Sequence, residues 1–485
     1  MDHDVSFRPG IGADGSETYT PRTVIYDLKG AFGTLRRENA LYQLQQQENP
    51  ARDGQWSGST IPLQLPPISP SPYQQALDQG LEPPALTNES VRFWSDYNHV
   101  FHHPRSIVQL NEYELNSSLM PFERFQTGEE LFANLDREHD LLDRDLRPFL
   151  EECDQLQGIQ VFTSTDDAWG GFTSRYLERT SDELGKGCRW VFGLQDTQRT
   201  SRERRALQLA NTAQSLYGID PSASMHIPLS SLPSSLPDYM SVAGASKWDT
   251  SALQAAAVES MTLPTRLRST IGARASFDNL ESTLNGNGMR RIAACSLSVK
   301  NPSEMHDEEL PNGHHSDDRL TNGYHEEDAA EKKQEGDIDL FPDSANQSAR
   351  GRDRRRTHIF SKMESLRGPW KTVEELQDTN DRLHDRFSAG HGPRTSLHQS
   401  TLLFPLLSSY PGIFRLPNNA RKLAINATLS TSTAIADRMR DLQSVARRLV
   451  GVEEREALGD GLATLAEEYE EGWDSDDLSS DDDGD

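Results

Sequence analysis

The residues best placed to do chemistry in this 485-residue chain lie in one short run, Ser164-Thr165-Asp166-Asp167-Ala168-Trp169-Gly170-Gly171. The run follows an apolar, β-branched stretch, Ile159 to Thr163, and precedes a helical pattern from Phe172 to Leu184. A strand leading through a glycine-bearing loop into a helix is the local grammar of a nucleotide-type α/β fold, because the helix start offers free N–H groups and a positive dipole end to a phosphate. Gly170 and Gly171 would let backbone approach such a ligand. Asp166 and Asp167 oppose it. A like-charge pair ~4 Å apart costs roughly 4 kcal/mol at an effective dielectric of about 20. A bound Mg²⁺ would reverse that sign. The plainer reading has Asp166 or Asp167 capping the helix start and Trp169 packing.

Other chemistry-bearing groups are weaker. His99, His102 and His103 sit in FWSDYNHVFHHPRS, where only Asp96 lies nearby as a further ligand, so the histidines read as structural and no metal site is assigned. Phe93, Trp94, Tyr97 and Phe101 fit one helical face. The run GRDRRR at Gly351 to Arg356 reads as a nuclear-import tract, a phosphate-binding patch or an intrachain partner of the acidic residues before it. No Ser/His/Asp, Cys/His or paired-carboxylate constellation stands out, so no catalytic residue is assigned.

The elements that would position these groups are uneven in clarity. Thr23 to Leu28 (TVIYDL) predicts a buried strand with turn residues Lys29, Gly30 and Gly33 after it. From Gln43 to Pro84 the pattern collapses into a Gln- and Pro-rich stretch that reads as an extended linker, with PISP at Pro67 to Pro70 as a weak groove ligand. Gly128 to Gln157 predicts a helix kinked at Pro148, its stripe carried by Leu142, Leu146, Phe149, Leu150, Cys153 and Leu156. Trp190 to Leu194 and Ile292 to Val299 read as strands; Arg202 to Tyr217 and Ala434 to Val450 read as helices, with a weaker helix before the tail. The expected organisation is an N-terminal segment (1–42), the linker (43–87), an α/β core (88–300), a disordered insertion, acidic then Arg-rich (301–357), a C-terminal region (358–470) and an acidic tail (471–485).

Composition bounds the rest. Of the net charge of −27, the stretches Glu304 to Asp343 and Glu467 to Asp485 supply −22, which leaves a nearly neutral body. Such a body gives no broad electrostatic case for nucleic acid or an anionic membrane. The tail reads as a solubilising strip or as a docking strip for basic partners, with serines open to phosphorylation. Three cysteines, Cys153, Cys188 and Cys295, with no CxxC pair, favour a reducing compartment. The first twenty residues lack an apolar run and resemble neither a secretory signal nor a mitochondrial presequence. Leu402 to Leu416, the longest apolar stretch, is interrupted by Pro405 and Pro411 and is too short to span a bilayer, so no transmembrane segment is expected.

Three blocks carry a resemblance. TPRTVIYDLKGAFGTLR (Thr20 to Arg36), FWSDYNHVFHHPRS (Phe93 to Ser106) and EECDQLQGIQVFTS (Glu151 to Ser164) together resemble the Misato family, tubulin-related proteins implicated in mitochondrial partitioning and mitochondrial DNA inheritance. The first and third also resemble tubulin, whose PR-x-V-x-x-DLEPG and CDCLQGFQ lie in the same order. The middle block, with its HPRS, is similar to Misato and not to tubulin. The resemblance covers most of residues 1 to 300 and, more loosely, Thr395 to Tyr469. It implies a degenerate tubulin-like α/β body and a non-catalytic organising role on the cytosolic face of the mitochondrion and in the cytoplasm. Partners would be proteins of the mitochondrial surface or cytoskeleton and chaperonin-type assembly factors. Carried over by position, the cofactor-site candidates are Lys29 and Gly30, at the place of tubulin's DLEPG, and Asp166, Asp167, Gly170 and Gly171, where tubulin has a run of glycines. No cofactor is assigned; GTP with Mg²⁺, in a tubulin-like GTPase, is the alternative. The family and tubulin have about one strand-loop-helix unit ahead of the DHDV segment, and a shortened gene model is the expected reason that this chain starts there.

Overall fold

A computed structural model describes residues 1–11, 15, 17–35, 68–268, 274–299, 338–342, 357–368, 370, 373–388, 392–416 and 420–470. GRDRRR and the acidic tail from Glu471 lie outside the described residues, as do most of the acidic insertion and the Gln-rich run.

Strands β1 (Phe7–Ile11) and β2 (Glu17–Pro21) form an antiparallel hairpin. Strand β3 (Ile25–Lys29) pairs in parallel with β4 (Ile107–Glu114). Between these two the stretch read as an extended linker holds helix α1 (Pro72–Asp78). Its Ser71 side chain caps the first turn and Pro72 takes the position where a missing N–H costs nothing. Tyr73 from this helix is 1% exposed, so the segment is packed on the body.

The long helix expected over Gly128 to Gln157 is shorter and divided. Helix α2 (Phe125–His139) stops at Asp140, whose left-handed φ of 46° ends the helix ahead of Pro148. The Asp136 carboxylate accepts the Leu141 N–H at 3.0 Å and fixes that exit. A π turn over Leu142–Leu146 then leads into the single turn of α3 (Arg147–Leu150), with Pro148 inside its first turn. The aromatic face expected in FWSDYNHVFHHPRS is also absent as a helix: the block holds two short 3₁₀ turns, Trp94–Tyr97 and Pro104–Ser106, of which the first carries its leading aromatics. There the Asp96 carboxylate accepts the backbone N–H groups of Arg92 and Phe93, which competes with helix formation.

From Gly158 to Ile219 the centre of the chain alternates as the sequence predicts, and a further strand, not expected from the sequence, follows. Strand β5 (Gly158–Ser164), helix α4 (Ala168–Leu184), strand β6 (Cys188–Gln195), helix α5 (Arg202–Ile219) and strand β7 (Met225–Ser230) build a three-stranded parallel sheet in the order β5-β6-β7. Every residue of β7 is buried, as expected of a parallel strand covered on both faces. Among the described residues β3 pairs only with β4 and β5 only with β6, so the two parallel sheets share no ladder. Side chains join them instead: the Tyr26 ring lies 5.5 Å from Phe172 and 5.6 Å from Tyr176, both on α4.

Helices α6 (Lys247–Thr262) and α7 (Phe277–Leu284) pack against a second sheet. Its strands are β8 (Ala294–Val299), β9 (Ile338–Asp339), β10 (Ile359–Arg367), β11 (Arg394–Ser400) and β14 (Ile425–Ser432), in the order β11-β10-β14-β8-β9. Helix α8 (Val373–Ser388) is the crossover between the parallel strands β10 and β11. A two-residue pair, β12 (Phe404–Pro405) with β13 (Lys422–Leu423), precedes β14. Ile338 and Leu340 are wholly buried, so the segment read as one continuous disordered insertion returns to the core midway. Between the sheets, Trp190, Phe192, Met225, Ile227 and Leu229 meet Leu253, Leu297 and Leu429 in the main core. Each such side chain contributes roughly 1.5–3 kcal/mol. Helices α9 (Thr433–Leu449) and α10 (Val452–Glu468) close a second core with α5. No helix among the described residues is long and apolar enough to cross a membrane.

Candidate functional site

The loop after β5 is short because α4 begins at Ala168, four residues earlier than the sequence pattern suggests. Asp167 is the N-cap: its carboxylate accepts the Trp169 N–H at 2.9 Å. Trp169 packs edge-on against Phe122 and Phe172. Asp166 is turned the other way, accepting the Ser164 hydroxyl at 2.9 Å and the Asp196 N–H at 2.8 Å. Lys247 donates to Asp196 at 3.0 Å and so places one cation near the pair.

The two glycines serve a different purpose from the one their spacing suggests. A Cβ on Gly170 would stand 1.9 Å from the Ser215 hydroxyl oxygen, and one on Gly171 would stand 1.9 Å from the Phe125 carbonyl oxygen. Gly128 faces the same seam, with the Ala168 carbonyl 1.7 Å from its would-be Cβ. These glycines let α4 approach α2 and α5, and both Gly170 and Gly171 are buried inside the first helical turn. The expectation that they open the backbone to a ligand is corrected on that steric ground.

The loop carbonyls are also spoken for. Asn211 donates to the Asp166 carbonyl at 3.1 Å, while its own oxygen accepts the Phe125 N–H at 3.1 Å. Ser215 donates to the Thr165 carbonyl at 2.9 Å, and the Thr163 and Thr173 hydroxyls bond at 2.7 Å. Burial, with Asp166 beside it, pushes the Asp167 carboxyl up to about 7, against the Trp169 N–H that favours its charge. Burial also raises Asp166, opposed by the Asp196 N–H and Ser164. Near neutral pH the pair therefore carries less than two charges, which weakens the repulsion that two full carboxylates would exert on a phosphate.

Lys29 and Gly30 end β3 elsewhere. Gly30 has φ 90° in the turn closed by the Ala31 N–H on the Leu28 carbonyl, a conformation that requires glycine. The Lys29 carbonyl accepts the Leu115 N–H at 3.0 Å. No hydrogen bond or ion pair among the described residues joins Lys29 or Gly30 to Asp166 or Asp167. The three histidines are likewise separate: His99 meets Tyr73 at 2.6 Å, His102 lies edge-on to Trp94, and His103 accepts the Arg105 N–H at 3.2 Å.

Asn211, Ser215, Asp196 and Lys247 complete the loop's surroundings and were not singled out by sequence. One signal was available for two of them: Asn211 and Ser215 are polar at i and i+4 on one helix face, and such a pair is hydrogen-bonded when buried. Asp196 and Lys247 lie too far apart in sequence for any local pattern to connect them.

A parallel β5-β6-β7 sheet with an Asp-capped helix leaving its first strand defines a tubulin-like α/β protein, and residues 83–267 match the family described as Tubulin domain. Residues 1–79 match the Misato Segment II tubulin-like domain. The chain is 45% identical to Protein DML1 of Phaeosphaeria nodorum over 493 residues, covering 100% of this chain and 93% of that protein. Protein dml-1 of Neurospora crassa is also 45% identical, over 100% of this chain and 93% of its own length. Protein dml1 of Schizosaccharomyces pombe is more distant, at 32% over 58% of this chain and 61% of that protein. The chain belongs to the fungal Misato/DML1 family of tubulin-related proteins.

Proposed function

We propose that this chain is a non-catalytic organiser acting in mitochondrial partitioning and distribution and in mitochondrial DNA inheritance. It works from the cytosolic face of the mitochondrion and the cytoplasm, through protein partners of the mitochondrial surface or cytoskeleton and with chaperonin-type factors in its assembly. The observation that carries the non-catalytic reading is the closed loop at Ser164 to Gly171. Its helix start is capped by its own carboxylate, and its glycines are filled by neighbouring helices. The residues present do not fit a nucleotide triphosphate there, and no catalytic step is assigned to them. The process and organelle rest on the family resemblance. Depletion should cause loss of mitochondrial DNA over successive divisions, with rescue by a copy carrying Asp167→Asn. Normal retention after full depletion would overturn the role, and failure of that rescue would overturn its independence from the loop carboxylate.

The rival reading, a GTP-binding tubulin-like GTPase, is favoured by the adjacent carboxylates Asp166 and Asp167, since such groups are ordinary Mg²⁺ ligands. GTP affinity measured with and without Mg²⁺ separates the two. Tight, Mg²⁺-dependent binding abolished by Asp167→Ala would replace the non-catalytic reading.

A further inference from the structure

The block that resembles Misato and not tubulin ends in His103-Pro104-Arg105-Ser106, and the role proposed above makes no use of it. In the fold these residues form a 3₁₀ turn, Pro104–Ser106, that borders a recess of about 250 Å³. Three segments distant in sequence line it: Arg8 from β1, His103 and Arg105 from the turn, and Pro148, Phe149 and Glu152 from α3 and the residues after it.

Its charge is unbalanced. Two guanidinium groups face one carboxylate, and Glu152 is engaged by Arg8 at 2.8 Å. Arg105 is exposed, and no acid among the described residues pairs with it. The imidazole adds a donor. His103 Nδ1 accepts the Arg105 N–H at 3.2 Å, which leaves the proton of the neutral ring on Nε2. Its ring stands at 90° to Phe149, with centroids 6.2 Å apart, so the aromatic wall holds its orientation. Burial, reinforced by Arg8 and Arg105, depresses His103 to about 4, so the ring donates as a neutral group at physiological pH.

We propose that this recess is a binding site for a phosphate group, carried on a phosphorylated peptide segment or supplied as free phosphate. A guanidinium fork suits phosphate oxygens bidentately, and charge-assisted bonds of this kind are the strong ones. Two forks and one imidazole N–H offer more donors than the two oxygens of a carboxylate can accept, whereas a phosphate presents three acceptor oxygens and up to two charges. The Glu152 carboxylate is the built-in competitor, since any bound anion sits beside it and shares Arg8. The inference stands apart from the mitochondrial reading and from the loop after β5.

The test uses the full chain with labelled histidine, followed by NMR at pH 7.5 during titration with inorganic phosphate, a phosphoserine peptide and its unphosphorylated twin. A saturable shift of the His103 resonance is expected, and the ring's titration should move to higher pH as the bound dianion offsets Arg8 and Arg105. Arg105→Gln, a change at an exposed side chain outside the core, should weaken binding at least about tenfold, the loss of one charge-assisted contact. Glu152→Gln should tighten it severalfold, a gain that a purely structural role for these residues would not give. Binding of the phosphopeptide tenfold or more above inorganic phosphate assigns the peptide source; equal affinities assign free phosphate. Absence of a saturable shift with either, equal binding of the unphosphorylated peptide, unchanged binding in Arg105→Gln or weaker binding in Glu152→Gln overturns the proposal.

Discussion

Replacing Asp167 by Asn removes one ionisation and little else. The Asn side-chain oxygen can still accept the Trp169 N–H that starts α4, and Asn is as good a cap as Asp. What changes is the pH dependence. Folding moves the Asp167 carboxyl from 3.8 to about 7, chiefly by burial and then by the neighbouring Asp166. The folded state therefore keeps the proton up to about pH 7, whereas the unfolded chain releases it near 3.8. Stability attributable to this group falls as pH rises through that window, because the folded state then binds more protons than the unfolded one. At about 1.36 kcal/mol per pH unit, the shift corresponds to a penalty on the order of 4 kcal/mol once Asp167 is fully charged. Asp167 keeps part of its surface exposed, so this figure is a ceiling. Chemical denaturation of wild type and Asp167→Asn should give nearly equal stabilities at pH 4 and a variant more stable by up to ~4 kcal/mol at pH 8 and above. A difference that stays constant with pH would refute the argument from burial. So would a wild type that gains stability from Mg²⁺ at pH 8 while the variant does not, since that would make the carboxylate a ligand and not a buried cap.

Three further outcomes follow from the packing. Gly171→Ala sets a methyl group against the Phe125 carbonyl, and thermal or denaturant unfolding should show a loss of about 1–3 kcal/mol or more; unchanged stability would return the glycine to a ligand-facing role. Tyr469, wholly buried, donates to the Ile292 carbonyl at 2.8 Å and accepts the Ile292 N–H at 2.7 Å, so Tyr469→Phe should cost about 1–3 kcal/mol by denaturation, and a neutral result would mean that water replaces the hydroxyl. His226, depressed by burial from 6.5 to about 4, stays neutral in the folded state while the unfolded chain takes up a proton, so it removes stability as pH falls from 6.5 toward 4. Asp167 and Asp220, raised by burial to about 7 and about 6, act with the opposite sign, so the test is the difference between His226→Leu and wild type. That difference should grow in favour of the variant by up to about 3 kcal/mol on acidification, and a flat difference would refute it.

Much of the central fold was legible because its signals are local. Strand β5, helix α4, strand β6 and helix α5 come from short apolar runs, glycines and a 3.6-residue stripe, and each was placed within a few residues. The boundaries that moved did so for side-chain reasons invisible to periodicity: Asp140 in a left-handed conformation cuts α2 short, and Asp96 unwinds the expected aromatic helix by taking two backbone N–H groups. Elements absent from the reading depend on distant partners. Strand β4 is supported by β3 across the whole Pro-rich excursion, and β10 lies between β11 and β14, with little apolar alternation in IFSKMESLR to announce it. Helix α6, rich in Ala and buried along most of its length, has no polar face to give it a helical period.

At the candidate site the same backbone pattern serves two different ends. A helix N-terminus leaves backbone N–H groups that must be satisfied by something, and either a bound anion or a local side chain will do. In this chain Asp167 fills that need from one residue before α4, while Asp166 ties the same loop to Asp196 at the end of β6. Once the cap is internal, the glycines no longer need to face a ligand, but removing them would still drive α4 into α2 and α5. Packing therefore accounts for both glycines in this fold. The strand-loop-helix pattern follows from how the sheet and helices fit together, and it identifies a tubulin-like body without implying that the body holds a nucleotide. The phosphate site proposed above is a separate feature, the guanidinium-lined recess, where exposed Arg105 has no acid among the described residues to neutralise it.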